Sequence, residues 1–276
     1  MKYSQVFLKR APCAALRPFV EQLWATSGNQ SSARSVRRER VLPTGKAHIV
    51  FRLDNSQIRL FTSAADTKGY TVGSAAISGA RVQPYYKETA AHAPSVGMVL
   101  RPGALAFLTG CAANNFSDTH THLDAIWSPF ALKQITERLN QTISISARLD
   151  LIETALLQRL PRVRGIHPAI AHALERFQSD TNIADIVAET NISHRHFIRI
   201  FETTVGLTPK SYQRVQRLNQ ALNAIQKQPQ STWVEIAHTT GFSDQAHLNR
   251  EFAALAGVTP TQYRQLSQQS SHHLPV

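Results

Sequence analysis

The sequence predicts an α+β chain of two domains. A β-rich, barrel-like domain with flanking helices occupies residues 1–160, and an all-α domain of two helix-turn-helix units joined by a long helix occupies residues 161–276. Short β-branched and aromatic segments in the first half indicate strands. Apolar residues at helical spacing over 149–160 end at Pro161, which places the boundary there. A helix, turn and helix pattern then occurs twice in the last third.

The first half is expected to be mostly strand, with helical segments between the strands. Asn, Gly, Pro and Ser separate the four strand-like segments, which are 47–53, 58–62, 70–73 and 95–100. Apolar spacing predicts helices at 16–24, 104–111 and 132–139.

The second half is predicted to be helical, and its elements follow in a regular order. A supporting helix at 167–178 precedes a first helix-turn-helix at about 183–205, a linker helix at 209–226 and a second helix-turn-helix at about 232–256. Ser193 is a good N-cap for the second helix of the first unit. Gly241 stands where such a turn needs a positive φ, and Asn191, the next most tolerant residue type, takes that place in the first unit.

The two units repeat the same residues about 50 positions apart. The shared positions are Phe197-x-Arg199-x-Phe201 and Leu248-x-Arg250-x-Phe252, each closed by Gly-x-Thr-Pro-x-x-Tyr at 206–212 and 257–263. This arrangement resembles the DNA-binding domain of AraC/XylS-type transcription regulators over residues 166–266. A single helix-turn-helix is a weak pattern, whereas two copies with this closure are a specific one.

The resemblance implies that the second helix of each unit enters the major groove of double-stranded DNA, on two successive turns. The base-contacting candidates carried over by position are Arg195, Ile198, Arg199, Gln245, Ala246, Asn249 and Arg250. The candidates for contacts with the DNA backbone are Ser193, His194, Lys210, Ser243 and Thr259. Arginine suits guanine, Gln and Asn suit adenine, and Ile or Ala suits a thymine methyl. Arg199 and Arg250 have an alternative interpretation as ion-pair residues between helices.

The net charge of +12 is weak support for DNA binding. Residues 1–160 hold 19 Lys and Arg against 10 Asp and Glu (+9), and residues 161–276 hold 11 against 8 (+3). The domain with the repeated motif is therefore the less basic one. We interpret the cluster of Arg34, Arg37, Arg38 and Arg40 as a solvated loop in preference to a ligand site.

The first half also resembles a poorly characterised N-terminal domain of some AraC-type regulators, through segments 16–24, 40–51 and 99–104. The resemblance does not supply a ligand. We expect a sensor or dimerisation domain, with an unknown small molecule as the effector. Arg101 is a weak candidate for binding it, and a structural hydrogen-bond donor is the preferred interpretation.

His120 and His122, with Asp118 and Asp124 nearby, form the one local group that resembles metal ligands. A strand would place both histidines on one face in any case, so ordinary histidines are favoured. No cofactor is expected.

Catalysis is not expected, because Cys13 and Cys111 lack a neighbouring His, Arg or second Cys. The sequence predicts a cytoplasmic, one-component regulator without a membrane segment, acting as a monomer or homodimer, with RNA polymerase as a candidate partner. Whether it activates or represses is open. The alternatives are a non-specific architectural DNA-binding protein and, with less support, a DNA-repair regulator that uses a cysteine.

Overall fold

The computed structural model describes residues 7–28, 37–54, 56–89, 93–160, 165–177, 181–267 and 270–276. The strands are β1 (Phe7–Arg10), β2 (Val20–Thr26), β3 (Arg37–Val41), β4 (His48–Arg52), β5 (Arg59–Phe61), β6 (Tyr70–Thr71), β7 (Ala75–Ser78), β8 (Tyr85–Thr89), β9 (Ser95–Leu100), β10 (His120–His122) and β11 (His273–Pro275). The α-helices are α1 (Ala104–Thr109), α2 (Pro129–Gln141), α3 (Ile145–Leu157), α4 (Pro168–Arg176), α5 (Ile183–Ala188), α6 (His194–Val205), α7 (Pro209–Lys227), α8 (Trp233–Thr239), α9 (Gln245–Ala256) and α10 (Pro260–Leu266). The predicted α+β class is confirmed.

Two antiparallel sheets form the N-terminal half. The first sheet has the order β1-β2-β9-β4-β7-β10, and the second has the order β11-β3-β8-β5-β6. One face of the first sheet packs its apolar side chains, such as Phe51 and Met98, with Leu149 and Ile152 of α3 in the main core. The opposite face of the first sheet looks toward the second sheet, since the Tyr85 ring of β8 lies 4.5 Å from the His120 ring of β10.

The predicted helix at 16–24 is wrong, because its second part is strand β2. β2 pairs with β1 and β9, and its register shifts between Val20 and Gln22. The irregularity puts Val20 and Leu23, three positions apart, in the same core. A strand with such an irregularity imitates the apolar spacing of a helix.

The C-terminal half contains the predicted order of helices. The pairs α5–α6 and α8–α9 match the two predicted units, and α7 matches the linker helix with one residue more. Each unit has its own apolar cluster: Phe197 and Phe201 are buried in the first, and Leu248 and Phe252 in the second. The domain boundary at residue 160 stays a prediction, because residues 161–164 lie outside the described part of the chain.

The two halves are joined by a strand that the sequence pattern did not predict. β11 follows the last helix and pairs antiparallel with β3, with Leu274 opposite Arg40. Leu274 is completely buried, in the same cluster as Leu42 and the side chains of α7 to α10. The helical domain therefore ends by adding a strand to the second sheet of the N-terminal half.

The turn at residues 42–45 is a second point of contact between the halves. The Asn219 Nδ2 of α7 donates to the Pro43 carbonyl at 3.4 Å. A Cβ at Gly45 would lie 2.9 Å from Gln216 Nε2 of the same helix, so the turn approaches α7 closely. Within the described residues, no helix is both long enough and apolar enough to span a membrane.

Candidate DNA interface

Helix α6 is held by its apolar side and presents its polar side outward. It begins after Ser193, whose Oγ accepts the amide of His196 at 3.3 Å and so caps the helix. The Phe201 ring lies 5.6 Å from that of Phe177, the residue that caps the end of α4, and 5.7 Å from that of Tyr212 in α7. Contacts with these two rings therefore fix the orientation of α6.

The predicted contact residues of the first unit lie on the free side of α6. Arg195 and Arg199 are exposed, and Ile198 is half-buried. The predicted backbone contacts Ser193 and His194 are exposed at the start of the same helix. Side chains of the types that contact bases and phosphates are thus brought together on one surface.

Helix α9 has the same arrangement in the second unit. Leu248 and Phe252 are buried, and the Phe252 ring packs 5.4 Å from that of Tyr263 in α10. All four predicted base-contacting residues of this unit are exposed: Gln245, Ala246, Asn249 and Arg250.

The cap of α9 differs from the cap of α6. Asp244 accepts the amide of His247 at 2.6 Å, while the predicted backbone contact Ser243 lies one residue earlier, with its Oγ 3.1 Å from His247 Nδ1. Asp244 lies 51 positions after Ser193, although the caps of α8 and α5, Thr232 and Asn182, are 50 positions apart. The second unit therefore has one residue more between the caps of its two helices.

That extra residue changes the electrostatics of the second recognition helix. The amide of His247 and, at longer range, the charge of Arg250 lower the pKa of the Asp244 carboxyl. The second recognition helix begins with a carboxylate, where the first begins with a neutral hydroxyl. The sequence offered one signal for this difference, which is the unequal spacing of the two repeats.

Both turns have the predicted conformation. Asn191 has φ 46° and Gly241 has φ 75°, both in the left-handed region. This region is open to glycine and, among other residues, is best tolerated by Asn and Asp. The residue types at these two positions are therefore explained by the backbone of the turn.

The remaining backbone candidates are exposed at helix starts. Lys210 lies in the first turn of α7. Thr259 caps α10, where its Oγ1 accepts the amide of Gln262 at 3.2 Å.

Arg214 joins two helices, although no sequence pattern indicated it. Its Nε and Nη2 lie 2.6 and 3.1 Å from the two carboxylate oxygens of Glu251. This bidentate pair ties α7 to α9 and, despite partial burial, lowers the pKa of Glu251. Among the described residues, Arg250 has no carboxylate within ion-pair distance, and the Arg199 Nη2 lies 3.0 Å from His196 Nδ1 of its own helix.

The residues that the sequence suggested for ligand or metal binding lie in the N-terminal half. The Arg101 Nε donates to the Arg17 carbonyl at 2.7 Å, which supports the structural interpretation. His120 and His122 share a face of β10, but the described residues contain no group of three or more His, Cys, Asp or Glu side chains that could hold a metal ion.

The cysteines and the described residues of the arginine cluster make contacts within the fold. Cys13 and Cys111 are half-buried free thiols packed against the core of the first sheet. Of the arginine cluster, Arg34 lies outside the described residues. The interpretation of the cluster as a solvated loop is wrong, because Arg38 and Arg40 lie in strand β3. They stack on Phe61 and Tyr86, at 3.8 and 5.2 Å from the ring centroids.

Two helix-turn-helix units with free recognition helices define a double helix-turn-helix domain. Comparison with family models agrees: residues 186–266 match a helix-turn-helix domain, and residues 8–122 match a domain of unknown function, DUF6597. The C-terminal domain is thus similar to the helix-turn-helix domain of AraC-type transcription regulators.

The similar proteins are named as bacterial transcription regulators. An uncharacterised helix-turn-helix regulator of Haemophilus influenzae is 27% identical over 153 residues, which cover 55% of this chain and 48% of the relative. The melibiose operon regulatory protein of Escherichia coli K12 is 28% identical over 172 residues, covering 54% of this chain and 57% of that protein. The chain thus spans about half the length of these curated relatives.

Among solved structures, ToxT from Vibrio cholerae is 9% identical, with a TM-score of 0.46 over 94% of this chain and 98% of that chain.

Proposed function

We propose that this protein is a one-component transcription regulator that binds specific sites in double-stranded DNA and responds to a small-molecule effector. The observation that supports it is the pair of capped recognition helices, α6 and α9, whose exposed sides carry Arg, Asn and Gln. Such side chains discriminate base pairs by paired hydrogen bonds in the major groove. The relatives named as transcription regulators support the same proposal.

The linker helix α7 contacts both recognition helices. It packs on α6 through Tyr212 and is tied to α9 through Arg214 and Glu251. Two recognition helices held by one helix can meet one face of DNA in successive major grooves, about 34 Å apart. A single copy of the chain would then occupy an asymmetric site, and a homodimer would occupy two such sites.

The base contacts proposed are those of Arg195, Ile198 and Arg199 in one groove, and of Gln245, Ala246, Asn249 and Arg250 in the next. Ser193, His194, Lys210, Ser243 and Thr259 would position the protein on phosphates, since backbone contacts fix the register without specifying sequence. The protein would act in the cytoplasm, and activation would require a contact with RNA polymerase.

The experiment is selection of bound duplexes from a random pool by the purified full chain, followed by sequencing. We expect one motif with two conserved blocks centred about 10 base pairs apart. A variant outside the proposed DNA interface, Arg138→Ala, should enrich the same motif, because Arg138 is an exposed arginine of α2 in the N-terminal half. Enrichment of no motif, with equal affinity for unrelated duplexes, would reject this function in favour of an architectural protein.

A further inference from the structure

The two sheets of the N-terminal half face each other with charged side chains. His48 and His120 flank Ser78 in the register of the first sheet. Glu39 lies opposite Lys87 in the second sheet. Facing sheets usually fill the space between them with apolar side chains, so this polar interior needs another explanation than packing.

Arg81, just after β7, is the most deeply placed of these charged groups. It is 6% exposed, its Nη2 donates to the Thr119 carbonyl at 3.0 Å, and its guanidinium lies 4.4 Å from the ring centroid of Tyr85. Its Nε is buried and has no hydrogen-bond partner among the described residues. Such an unsatisfied donor on a buried cation is costly, which indicates an acceptor that the chain does not supply.

The nearby carboxylates are already engaged elsewhere. Glu39 lies 3.6 Å from Lys87 and 3.0 Å from His273. Glu88 pairs with Arg59, and the Asp118 Oδ1 accepts the amides of Val82 and Gln83. In the described part of the chain, no carboxylate lies within ion-pair distance of Arg81, although Asp118 acts on it at longer range.

The histidines beside Arg81 are neutral groups. The His120 Nδ1 lies 3.2 Å from the Arg81 Nη2. Burial, followed by nearby cations, lowers the pKa of His48 and of His120 to about 3. A neutral imidazole can both donate and accept a hydrogen bond, so these rings can orient a ligand without adding charge.

An apolar surface adjoins the charged groups. Ile58, Leu60, Val72 and Ala76 form a buried cluster, with Val50 and Tyr85 packed against it. Tyr85 therefore touches both the apolar cluster and Arg81. Val50, Tyr85, Lys87 and His120 are each only half-buried.

We propose that the space between the two sheets binds a small organic carboxylate with an apolar body, whose carboxylate pairs with Arg81. Lys87 strengthens the attraction, His48 and His120 orient the carboxylate, and the apolar cluster around Leu60 receives the rest of the ligand. The inference rests on the proposed effector response and specifies the chemical class of the effector.

The test uses thermal unfolding of the full chain at constant ionic strength with sodium acetate, butyrate or hexanoate, or with hexanamide. We expect hexanoate to raise Tm saturably at concentrations up to about 10 mM. Acetate should act more weakly, because it cannot reach the apolar cluster, and the uncharged hexanamide should have no effect. An equal shift with hexanamide, or no shift with any carboxylate, would overturn the proposal.

Variants locate the site. Arg81→Gln and, as a second variant in case the first does not fold, Lys87→Gln should each weaken hexanoate binding by about tenfold. The matched control is Arg59→Gln, an exposed arginine of the second sheet, which should keep the response. Hexanoate binding that survives both Arg81→Gln and Lys87→Gln would exclude this site.

DNA selection on the same preparation separates this proposal from the regulator function. Specific DNA binding without any response to the carboxylates would reject the anion site and leave the regulator intact. A carboxylate response that depends on Arg81, in a protein that selects no DNA motif, would reject the regulator and leave the site.

Discussion

Arg195 and Lys210 are both exposed cations beside the first recognition helix, yet we expect them to act differently on DNA. Arg195→Ala should cost about 1–3 kcal/mol at the selected site and relax the preference for one base pair. Lys210→Ala should weaken binding to all sequences alike and reduce the salt slope by about one. Fluorescence titrations on the selected and a scrambled duplex, at several salt concentrations, measure both. Equal losses on the two duplexes for Arg195→Ala would contradict a role in base recognition.

The turn of the second unit depends on the freedom of Gly241. Gly241→Ala should lower the free energy of unfolding by about 1–2 kcal/mol, because a Cβ clashes at its φ of 75°. The matched variant Asn191→Gly, at the equivalent turn, should change it by less than about 1 kcal/mol, since relief of strain and added freedom of the unfolded chain offset each other. Urea unfolding measures both. A Gly241→Ala protein as stable as its parent would argue against the left-handed turn.

Helix α9 takes its position on α7 from the pair of Arg214 and Glu251. Its two charge-assisted hydrogen bonds should give a coupling energy of about 1–3 kcal/mol in a double-mutant cycle with Arg214→Ala and Glu251→Ala. The variants should also weaken DNA binding at the second half-site more than at the first.

The stability that this pair contributes should depend on pH. Because the pKa of Glu251 is lowered in the fold, this stability is fully present above the ordinary pKa of 4.5 and is lost as pH falls through the lower folded value. Unfolding measured from pH 7 to pH 3 tests the direction of this pH dependence. A coupling energy that persists in acid would contradict the prediction.

The helices of the second half could be predicted because their signals are local. The caps, the apolar spacing and the closing Gly-x-Thr-Pro all lie within a few residues of the helices they specify, and the repeat doubles the signal. The exposed candidates of α6 and α9 follow from the same spacing. The Asp244 cap was missed because both Ser243 and Asp244 are good caps, and one inserted residue decides between them.

The strands and their partners were harder to predict because pairing is not local. The irregularity in β2 converts its pattern into helical spacing, so only its pairing with β9 identifies it as a strand. The three residues of β11 are too few for periodicity. The charged interior depends on which strands face each other, and neither the position of Arg81 nor its missing acceptor can be inferred from neighbouring residues.

At the scale of the whole molecule, Leu274 contributes to holding the two halves together. Its burial predicts that Leu274→Ala lowers the free energy of unfolding by about 2–5 kcal/mol. The matched control is Val276→Ala, two residues on and 55% exposed, which should change little. Hydrogen exchange adds a local measurement, in which the amides of β3 should exchange faster in Leu274→Ala than in Val276→Ala. Equal exchange in the two variants would show that β11 does not hold the halves together.

The pairing of β11 with β3 also sets an order of events during synthesis. The ribosome makes β3 more than two hundred residues before β11, so the second sheet emerges with β3 as an open edge. An open edge can pair with the wrong chain, and charged side chains are a common protection against this. β3 has the sequence Arg-Arg-Glu-Arg-Val, with four charges in five residues. The charged side chains that protect this open edge thus belong to β3, the strand that later pairs with β11. The helical domain docks onto β3 after the ribosome has made that domain.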